Sequence, residues 1–132
     1  MNIFTDRGDY YLWGGLSPLD HVADFNSTFA PDHVTDQVID QAILATDVAR
    51  SRVEFIQEEV DELWEAYRNN DPVEFVDAIV DILYFIYGTA IALGIPLEDA
   101  FEEVHDTNMA KANPDGSVTR HPDTGKVLKP EG

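Results

Sequence analysis

Apolar residues in the first half of the chain recur at spacings of three and four, which is the period of an amphipathic helix. Ser17-Pro18 predicts the first helix start, with serine as the N-cap and proline in the first helical position. A longer helical pattern covers residues 35–68, and its length predicts a break within residues 46–52. The predicted apolar face of its second part consists of Val53, Ile56, Val60, Leu63 and Tyr67. The first half is therefore expected to be helical.

The second half begins with an equally clear helix start. Residues 71–74 combine a capping aspartate, a proline in the first helical position and a glutamate that completes a capping box. This helix is expected to end at Gly94, a residue type that favours the position after a helix. Another amphipathic pattern predicts a helix over residues 96–112.

The pattern changes after residue 112. Two turn sequences, residues 113–116 and 122–125, flank short runs that either pair as a small hairpin or lie extended. We therefore predict an all-α fold, a bundle of four to five helices with an irregular basic C-terminal tail over residues 113–132. The whole chain, residues 1–132, is expected to form one domain, with residues 1–16 as an N-terminal arm.

Charge narrows the choice of partners. The chain has 26 acidic residues against 8 Lys and Arg, a net charge of −18. This excludes ordinary nucleic-acid and anionic-membrane binding, which need a basic surface, and it is compatible with halophily, nucleic-acid mimicry or metal binding. Half of the bases lie in the last 22 residues, where they could bind an anionic substrate: Lys111, Arg120, Lys126 and Lys129.

The remaining composition predicts a cytoplasmic protein. There is no cysteine, which rules out disulfides and thiolate chemistry. No secretory signal pattern is evident. The most apolar run, residues 78–93, is short for a bilayer span and contains Asp81, so it is interpreted as a core helix without membrane contact.

A first acidic cluster lies in the long helical pattern. Glu59 and Glu62 are three residues apart and Glu58 and Glu62 four apart, so each pair shares a helix face. Like charges at these spacings destabilise a helix slightly unless a cation lies between them. A solvated acidic face is the simpler explanation when this cluster is considered alone.

Two aspartates in the next helix favour the metal interpretation. Asp77 and Asp81 lie in a segment where nearly every other residue is apolar, and an unpaired buried carboxylate is unfavourable. A metal shared with the first cluster would resolve both problems, and an all-oxygen site suits Mg²⁺ or Mn²⁺. A hydrogen-bonded polar residue in the core is the alternative for Asp81, and helix capping is favoured for Glu74.

These motifs resemble a known superfamily. Glu58-Glu59-x-x-Glu62, then Asp77-Ala-Ile-Val-Asp81-Ile-Leu-Tyr and Tyr87-Gly88-Thr89-Ala90, resemble the MazG-like branch of the all-α nucleoside triphosphate pyrophosphatases. The superfamily includes phosphoribosyl-ATP pyrophosphohydrolases and dimeric dUTPases. The tail is also similar, in residues 103–111 and 123–129, so the resemblance covers roughly residues 50–132.

The resemblance implies a homodimer, or a dimer of dimers, that hydrolyses a nucleoside triphosphate between its α and β phosphates. It implies metal ligation by Glu59, Glu62 and Asp81, and a role for Glu58 in ligating a further metal or activating water. Substrate phosphates would be contacted by tail residues, namely Asn108 and Lys111, with Lys126 and Lys129 as further candidates. One departure affects the metal count, since the family's second motif has a glutamate where this chain has Ala78, and Asp77 precedes it.

Other interpretations stay open. Glu102-x-x-His105 is typical of di-iron bundles, but a di-iron site needs two such motifs. A non-catalytic acidic DNA mimic would explain the charge but not the aspartates in an apolar helix, and a nucleotide-binding protein without activity is a third alternative. The base-binding residues are also open, with Trp13, Trp64 and Tyr84 as candidates for stacking, although a core or interface role is simpler, and Asn26 and Asn108 for hydrogen bonds.

Overall fold

The computed structural model describes residues 17–35 and 38–129. Within these ranges the chain is almost entirely helical, which confirms the predicted all-α class. The elements are α1 Pro18–Phe29, a 3-10 turn Pro31–His33, α2 Gln41–Leu44, α3 Asp47–Arg68, α4 Pro72–Leu93, α5 Leu97–Met109 and a hairpin of β1 Thr119–Arg120 with β2 Val127–Leu128.

Local capping chemistry sets the helix starts. The Ser17 hydroxyl accepts from the Asp20 N–H at 3.2 Å, and the Asp20 carboxylate accepts from the Ser17 N–H at 3.1 Å, so a full capping box starts α1. At α4, Asp71 accepts from the Glu74 N–H at 3.1 Å. The predicted reciprocal bond from Glu74 is replaced, because the Asp71 N–H donates to the Ala66 carbonyl at 3.0 Å.

The helical stretch predicted over residues 35–68 is interrupted at residues 45–46, which meets the predicted break at Thr46, but its predicted start is wrong. Residues 38–40 are not helical, α2 is one turn long, and α3 begins only after Thr46. Asp40 caps α2 and Thr46 caps α3, the Thr46 hydroxyl accepting from the Ala49 N–H at 3.2 Å. Both side chains compete well for backbone N–H groups, so each begins a new helix. The resulting break between α2 and α3 lies at the N-terminal end of the predicted interval, residues 46–52.

The α3–α4 pair forms the centre of the first compact unit, which ends at Ile95. A connection of three residues, 69–71, joins the two helices, and α1 packs against α4. Most of the buried residues are small, which allows the helix axes to approach closely: Ala49, Ala66, Ala78, Ala90 and Ala92, with Val22 and Leu93. The predicted apolar face of α3 is partly wrong, because Val53 and Tyr67 are each 65% exposed.

The second compact unit begins at Pro96 and contains α5 and the hairpin. Thr119 pairs with Leu128 and Arg120 with Val127 in an antiparallel register, so the paired alternative for these runs is correct. No residue of α5 is buried. The prediction of one domain over residues 1–132 stays a prediction, and the proposed N-terminal arm, residues 1–16, lies outside the described residues.

Helix α4 has one unusual property. It is the only helix of the described residues that is long and apolar enough to cross a bilayer by length and composition, with a mean hydropathy of 1.8. Only 28% of its most apolar window is buried within the chain. The absence of membrane contact therefore remains a prediction. Most of the apolar window of α4 is not covered by the rest of the chain.

Candidate metal centre and adjoining cavity

Carboxylates from α3 and α4 meet where the two helices pack. Glu59 and Glu62 project from α3 and Asp81 from α4, and one oxygen from each lies within 4.8 Å of the others. The three-residue spacing places the two glutamates on one face of α3. These are the three residues that the resemblance assigned as metal ligands.

The proximity of these acids disturbs their ionisation. Burial, followed by the neighbouring Glu62 carboxylate and the charges of Asp81 and Asp77, raises the pKa of Glu59 to about 7. Burial raises the pKa of Asp81 as well, and the charges of Asp77 and Glu62 add to the shift. Both shifts therefore arise first from burial and then from neighbouring negative charge.

The cluster fits a divalent cation. The Oε2 atom of Glu59 is buried and has no hydrogen-bond partner among the described residues. A buried oxygen without a donor is unfavourable, and a hard cation would satisfy it while removing the repulsion between the three carboxylates. The donor set is entirely oxygen, which suits Mg²⁺, Mn²⁺ or Ca²⁺ better than a metal that prefers nitrogen or sulfur.

The two other predicted acids lie beside this cluster. Asp77 acts on both Glu59 and Asp81 through its charge, although its oxygens are not part of the three-residue group. With Glu62 it lines an acidic cavity of about 290 Å³ at the α3–α4 connection. Glu58 is exposed on α3 and outside the group of three.

The predicted phosphate-binding residues lie in the second unit. Asn108 is exposed in the last turn of α5, and Lys111 is half-buried just after the helix. Lys126 and Lys129 are exposed and flank β2, with the Lys126 carbonyl accepting from the His121 N–H at 2.8 Å. Their part in substrate binding stays a prediction.

A second, larger cavity adjoins the acidic cluster. Its volume is about 530 Å³, and four of its nine lining residues are Phe or Tyr, namely Phe25, Phe55, Tyr84 and Phe85. Asp81 belongs both to this wall and to the acidic cluster. Of the residues considered for base stacking, Tyr84 is in the wall, Trp64 is instead exposed against Tyr67, and Trp13 lies outside the described residues.

A buried guanidinium also contributes to the wall of this aromatic cavity. Arg52 is only 4% exposed and forms no ion pair within the described part of the chain. Its Nε donates to Thr89 Oγ1 at 3.2 Å and its Nη2 to the Phe85 carbonyl at 3.1 Å. Its Cζ lies 5.6 Å from the ring centroid of Phe55 and 5.5 Å from that of Phe85, so both rings stabilise the charge.

Gly88 explains how the guanidinium fits against α4. A Cβ atom at this position would collide with Arg52 Nη2, so only glycine leaves room for it. The same missing side chain lets the Asn26 amide approach, and its Nδ2 donates to the Gly88 carbonyl at 3.4 Å and to the His33 carbonyl at 3.5 Å. The Tyr87-Gly88-Thr89-Ala90 motif is therefore the place where α4 holds Arg52 and Asn26.

Arg52 and His33 were not predicted from the sequence as site residues. His33 stacks on Phe55, and its Nδ1 is buried without a partner in the described residues. A signal for Arg52 was present, since it is one of only four bases in residues 1–110. It also lies four residues before Ile56, on the side of α3 that was predicted to be apolar.

Comparison with known proteins agrees with this geometry. The model of the phosphoribosyl-ATP pyrophosphohydrolase family matches residues 22–108, about two thirds of the chain. This span contains the acidic cluster, the aromatic cavity and Asn108. It ends before the three candidate lysines of the tail.

Individual relatives match over shorter segments. An uncharacterized protein of Acanthamoeba polyphaga mimivirus is 37% identical over 79 residues, which is 58% of this chain and 31% of that protein. Phosphoribosyl-ATP pyrophosphatases of Bacillus cereus strain AH820 and of Bacillus anthracis are each 43% identical over 53 residues, 40% of this chain and 50% of theirs. The matched segments thus span half or less of the length of these relatives.

Proposed function

The chain belongs to the phosphoribosyl-ATP pyrophosphohydrolase family, within the MazG-like all-α pyrophosphatases, and from this premise we propose that it is a Mg²⁺-dependent nucleoside triphosphate pyrophosphohydrolase. The family consists of divalent-metal-dependent enzymes that cleave a phosphoanhydride bond in a nucleotide. The observation that carries the proposal is the meeting of Glu59, Glu62 and Asp81, in which the buried Glu59 Oε2 has no hydrogen-bond partner in the described part of the chain.

Glu59, Glu62 and Asp81 would hold the cation, with Asp77 and Glu58 as additional ligands. When bound, Mg²⁺ would neutralise the phosphate oxygens and polarise the phosphorus that is attacked. The role of the chain is to keep three carboxylates in a fixed group on two packed helices. A cation held there would also lower the repulsion that a chain of charge −18 exerts on an anionic nucleotide.

Glu58 is proposed as the general base. It is exposed on α3, in the residue before the ligand Glu59, and can accept a proton from water. The water oxygen bonds to the α phosphorus, and the bond from that phosphorus to the bridging α–β oxygen breaks. The products are a nucleoside monophosphate and pyrophosphate, and the proton of the attacking water resides on Glu58 until solvent removes it.

We propose that phosphate binding is the role of residues from the last turn of α5 onward. Asn108, Lys111, Lys126 and Lys129 are proposed to contact the phosphates, and lysine suits this role as a point charge. Lys111 is the strongest candidate of the three lysines because it is half-buried. Lys111→Ala is expected to raise the KM for nucleotide about tenfold, whereas Arg68→Ala, which removes an exposed base from α3, should leave it within twofold.

The activity assay must distinguish between two candidate substrate classes. Sanitation of the nucleotide pool predicts deoxynucleoside triphosphates as substrates. The names of the Bacillus relatives favour phosphoribosyl-ATP instead. Purified protein would be incubated with each deoxy- and ribonucleoside triphosphate and with phosphoribosyl-ATP, plus Mg²⁺, and the products identified by ³¹P NMR.

Formation of a monophosphate and pyrophosphate in equal amounts is the expected result. Release of orthophosphate alone, or no turnover of any of these compounds, would refute the hydrolase proposal. Tight nucleotide binding without turnover would favour the alternative of a non-catalytic nucleotide-binding protein. Failure to bind any nucleotide would leave an acidic DNA mimic as the remaining candidate.

We also propose that the protein is a cytoplasmic homodimer or dimer of dimers, without membrane or nucleic-acid contact. Four exposed large apolar side chains of α4 lie on one side of the helix, its outer face, and support self-association: Ile79, Val80, Leu83 and Ile86. A second copy of the chain would bury these side chains. Insertion of α4 into a bilayer would instead bring its charged residues into the lipid phase, which is unfavourable.

A further inference from the structure

We propose that the aromatic cavity binds the nucleobase and that Arg52 and Asn26 select bases with a lactam edge, a ring carbonyl beside a ring N–H. Guanine, hypoxanthine, uracil and thymine carry this edge, whereas adenine and cytosine carry an amino group beside a ring nitrogen without hydrogen. The inference rests on the proposed nucleotide pyrophosphohydrolase activity and names the substrate class of the same site.

The position of the cavity is the first step. Its wall contains Asp81, which is also one of the three clustered carboxylates. A nucleotide with its phosphates at the acidic cluster would therefore carry its base next to this wall. The volume of about 530 Å³ and the rings of Phe25, Phe55 and Tyr84 suit a flat heterocycle better than a phosphate.

The free donors of Arg52 are the second step. The guanidinium has five N–H groups, and the two hydrogen bonds to Thr89 and Phe85 occupy one on Nε and one on Nη2. The remaining three lie on Nη1 and Nη2, at the end of the fork, and have no acceptor within the described residues. Because Arg52 cannot accept a hydrogen bond, an amino group placed there would face donors only.

Asn26 supplies the complementary acceptor. It is 3% exposed, lines the cavity, and directs its Nδ2 towards the carbonyls of Gly88 and His33. Those two acceptors fix the amide orientation, so Oδ1 points away from them and is available to a ring N–H. Asn26 Nδ2 and Arg52 Nη2 both lie close to Gly88, so the two side chains are neighbours in the cavity wall, and we infer that the Oδ1 acceptor and the free Arg52 donors face the same ligand.

This pair matches one class of base. The carbonyl of a lactam accepts from Arg52 while its ring N–H donates to Asn26, whereas adenine and cytosine would present two mismatches. A site built for a particular hydrogen-bonding pattern rejects the wrong pattern strongly, since its buried polar groups are left unpaired. We expect at least about a tenfold preference in kcat/KM for lactam bases.

The test compares nucleotides that differ only at this edge. UTP against CTP and GTP against 2,6-diaminopurine riboside triphosphate share ring size and sugar, and the wild-type protein is assayed for pyrophosphate release with each. The lactam member of both pairs should be favoured at least about tenfold. Equal kcat/KM within twofold, or a preference for the amino member, would overturn the inference.

Variants identify the residue responsible. Arg52→Lys keeps the charge but loses the fork, so the preference should fall towards unity. Arg50→Gln, which removes an exposed base from the same helix, should leave it unchanged. If Arg52→Lys slows all nucleotides equally and keeps the preference, Arg52 acts on the common part of the substrate and the proposal fails. If this variant does not fold, the wild-type comparison decides.

Measurements of nucleotide binding test this inference independently of the proposed hydrolytic activity. If no nucleotide is hydrolysed, the hydrolase proposal fails, and the base preference is then measured from the Kd values of α,β-methylene analogues of UTP and CTP with Mg²⁺. A tenfold tighter Kd for the uridine analogue would support the cavity assignment even without turnover. Equal Kd values would overturn it.

Discussion

At the scale of single residues, Asp81 is the acid with the most demanding position. It lies on a predominantly apolar helix, its pKa is raised by burial and by Asp77 and Glu62, and it forms no ion pair within the described residues. The same carboxylate is shared by the acidic cluster and the aromatic cavity. Replacing it should therefore affect cation binding and substrate placement together.

Neutral isosteres at the cluster should abolish activity without unfolding the chain. Glu62→Gln or Asp81→Asn removes a proposed ligand charge but keeps the side-chain volume, and we expect kcat/KM to fall at least about 100-fold. Pyrophosphate release and circular dichroism measure the two properties. Glu62→Gln and Asp81→Asn should each relieve repulsion between acids, so the melting temperature without metal should not decrease.

Asp61→Asn is the matched control for Glu62→Gln. Asp61 is exposed on α3 and accepts from Gln57 at 3.0 Å, outside the acidic cluster. Its activity should stay within twofold of the wild type. Full activity in either cluster variant would show that the site has been assigned to the wrong residues.

The raised pKa of Glu59 predicts a pH-dependent stability of the metal-free protein. Between the usual glutamate value of 4.5 and about 7, the folded chain binds more protons at this site than the unfolded chain does. The contribution of Glu59 therefore falls as pH rises through this window and levels off above it. Melting temperatures in EDTA should decrease from pH 5 to pH 8, and Glu59→Gln should make that decrease smaller.

Mg²⁺ should reverse the trend at high pH. Binding requires the deprotonated carboxylate, so the cation stabilises the fold most at pH 8, by about 2.7 kcal/mol when its concentration is 100 times its Kd. An equal effect of Mg²⁺ on the melting temperature at pH 5 and pH 8 would contradict this role of Glu59.

The sequence predicted the acids of the site better than its other residues. Glu59, Glu62 and Asp81 could be identified because regular helix spacing brings acids onto a common face, and a lone acid in an apolar helix is conspicuous. Arg52 and His33 could not be assigned in the same way. Arg52 donates to Phe85 of α4, and His33 stacks on Phe55 of α3. Sequence spacing within one helix carries no information about such contacts between elements.

At the scale of elements, the contact between α3 and α4 depends on Gly88. Glycine in a helix interior is ordinarily less stable than alanine by about 0.5–1 kcal/mol. At position 88 a Cβ atom would collide with Arg52 Nη2, so here alanine should be less stable than glycine.

Gly88→Ala should destabilise the protein by about 1–3 kcal/mol through overpacking, measured by urea unfolding. The matched control is Gly88→Ala in the Arg52→Ala background, where the guanidinium is gone and the substitution should become neutral or stabilising. If Gly88→Ala stabilises the wild type, the guanidinium does not occupy this space in solution.

Element boundaries were predictable where a single side chain determines them. Ser17 and Asp71 cap α1 and α4 as expected, because capping is local to three or four residues. The extended segment before α2 was not predicted. The Ile39 N–H donates to the Gly94 carbonyl at 3.3 Å, a contact more than fifty residues apart in sequence that a helical pattern does not reveal.

At the scale of the whole molecule, the outer face of α4 should be the surface through which two chains associate. Leu83 is 47% exposed in the middle of this face. Leu83→Lys would place a charge in the proposed interface and should weaken dimerisation about tenfold or more. Sedimentation equilibrium would compare both proteins with the chain mass of 14.8 kDa.

Val38→Lys is the control for this prediction, because Val38 is 75% exposed but does not belong to α4. It should leave the association constant unchanged. A wild-type protein that sediments as a monomer at all concentrations would refute self-association through α4. The fold class could be predicted at this scale from helical periodicity, whereas self-association through α4 stays a prediction, since helical periodicity within one chain carries no information about a second copy.

The aromatic cavity and the acidic cluster do not draw on the same set of helices, and this difference affects how such an enzyme could be altered. Helix α1 contributes Phe25 and Asn26 to the aromatic cavity but none of the clustered acids. A designer could therefore alter part of the proposed base-binding wall by replacing this one helix segment, while leaving Arg52 and the proposed metal ligands on α3 and α4 intact. Natural drift in α1 would offer the same route to new substrates.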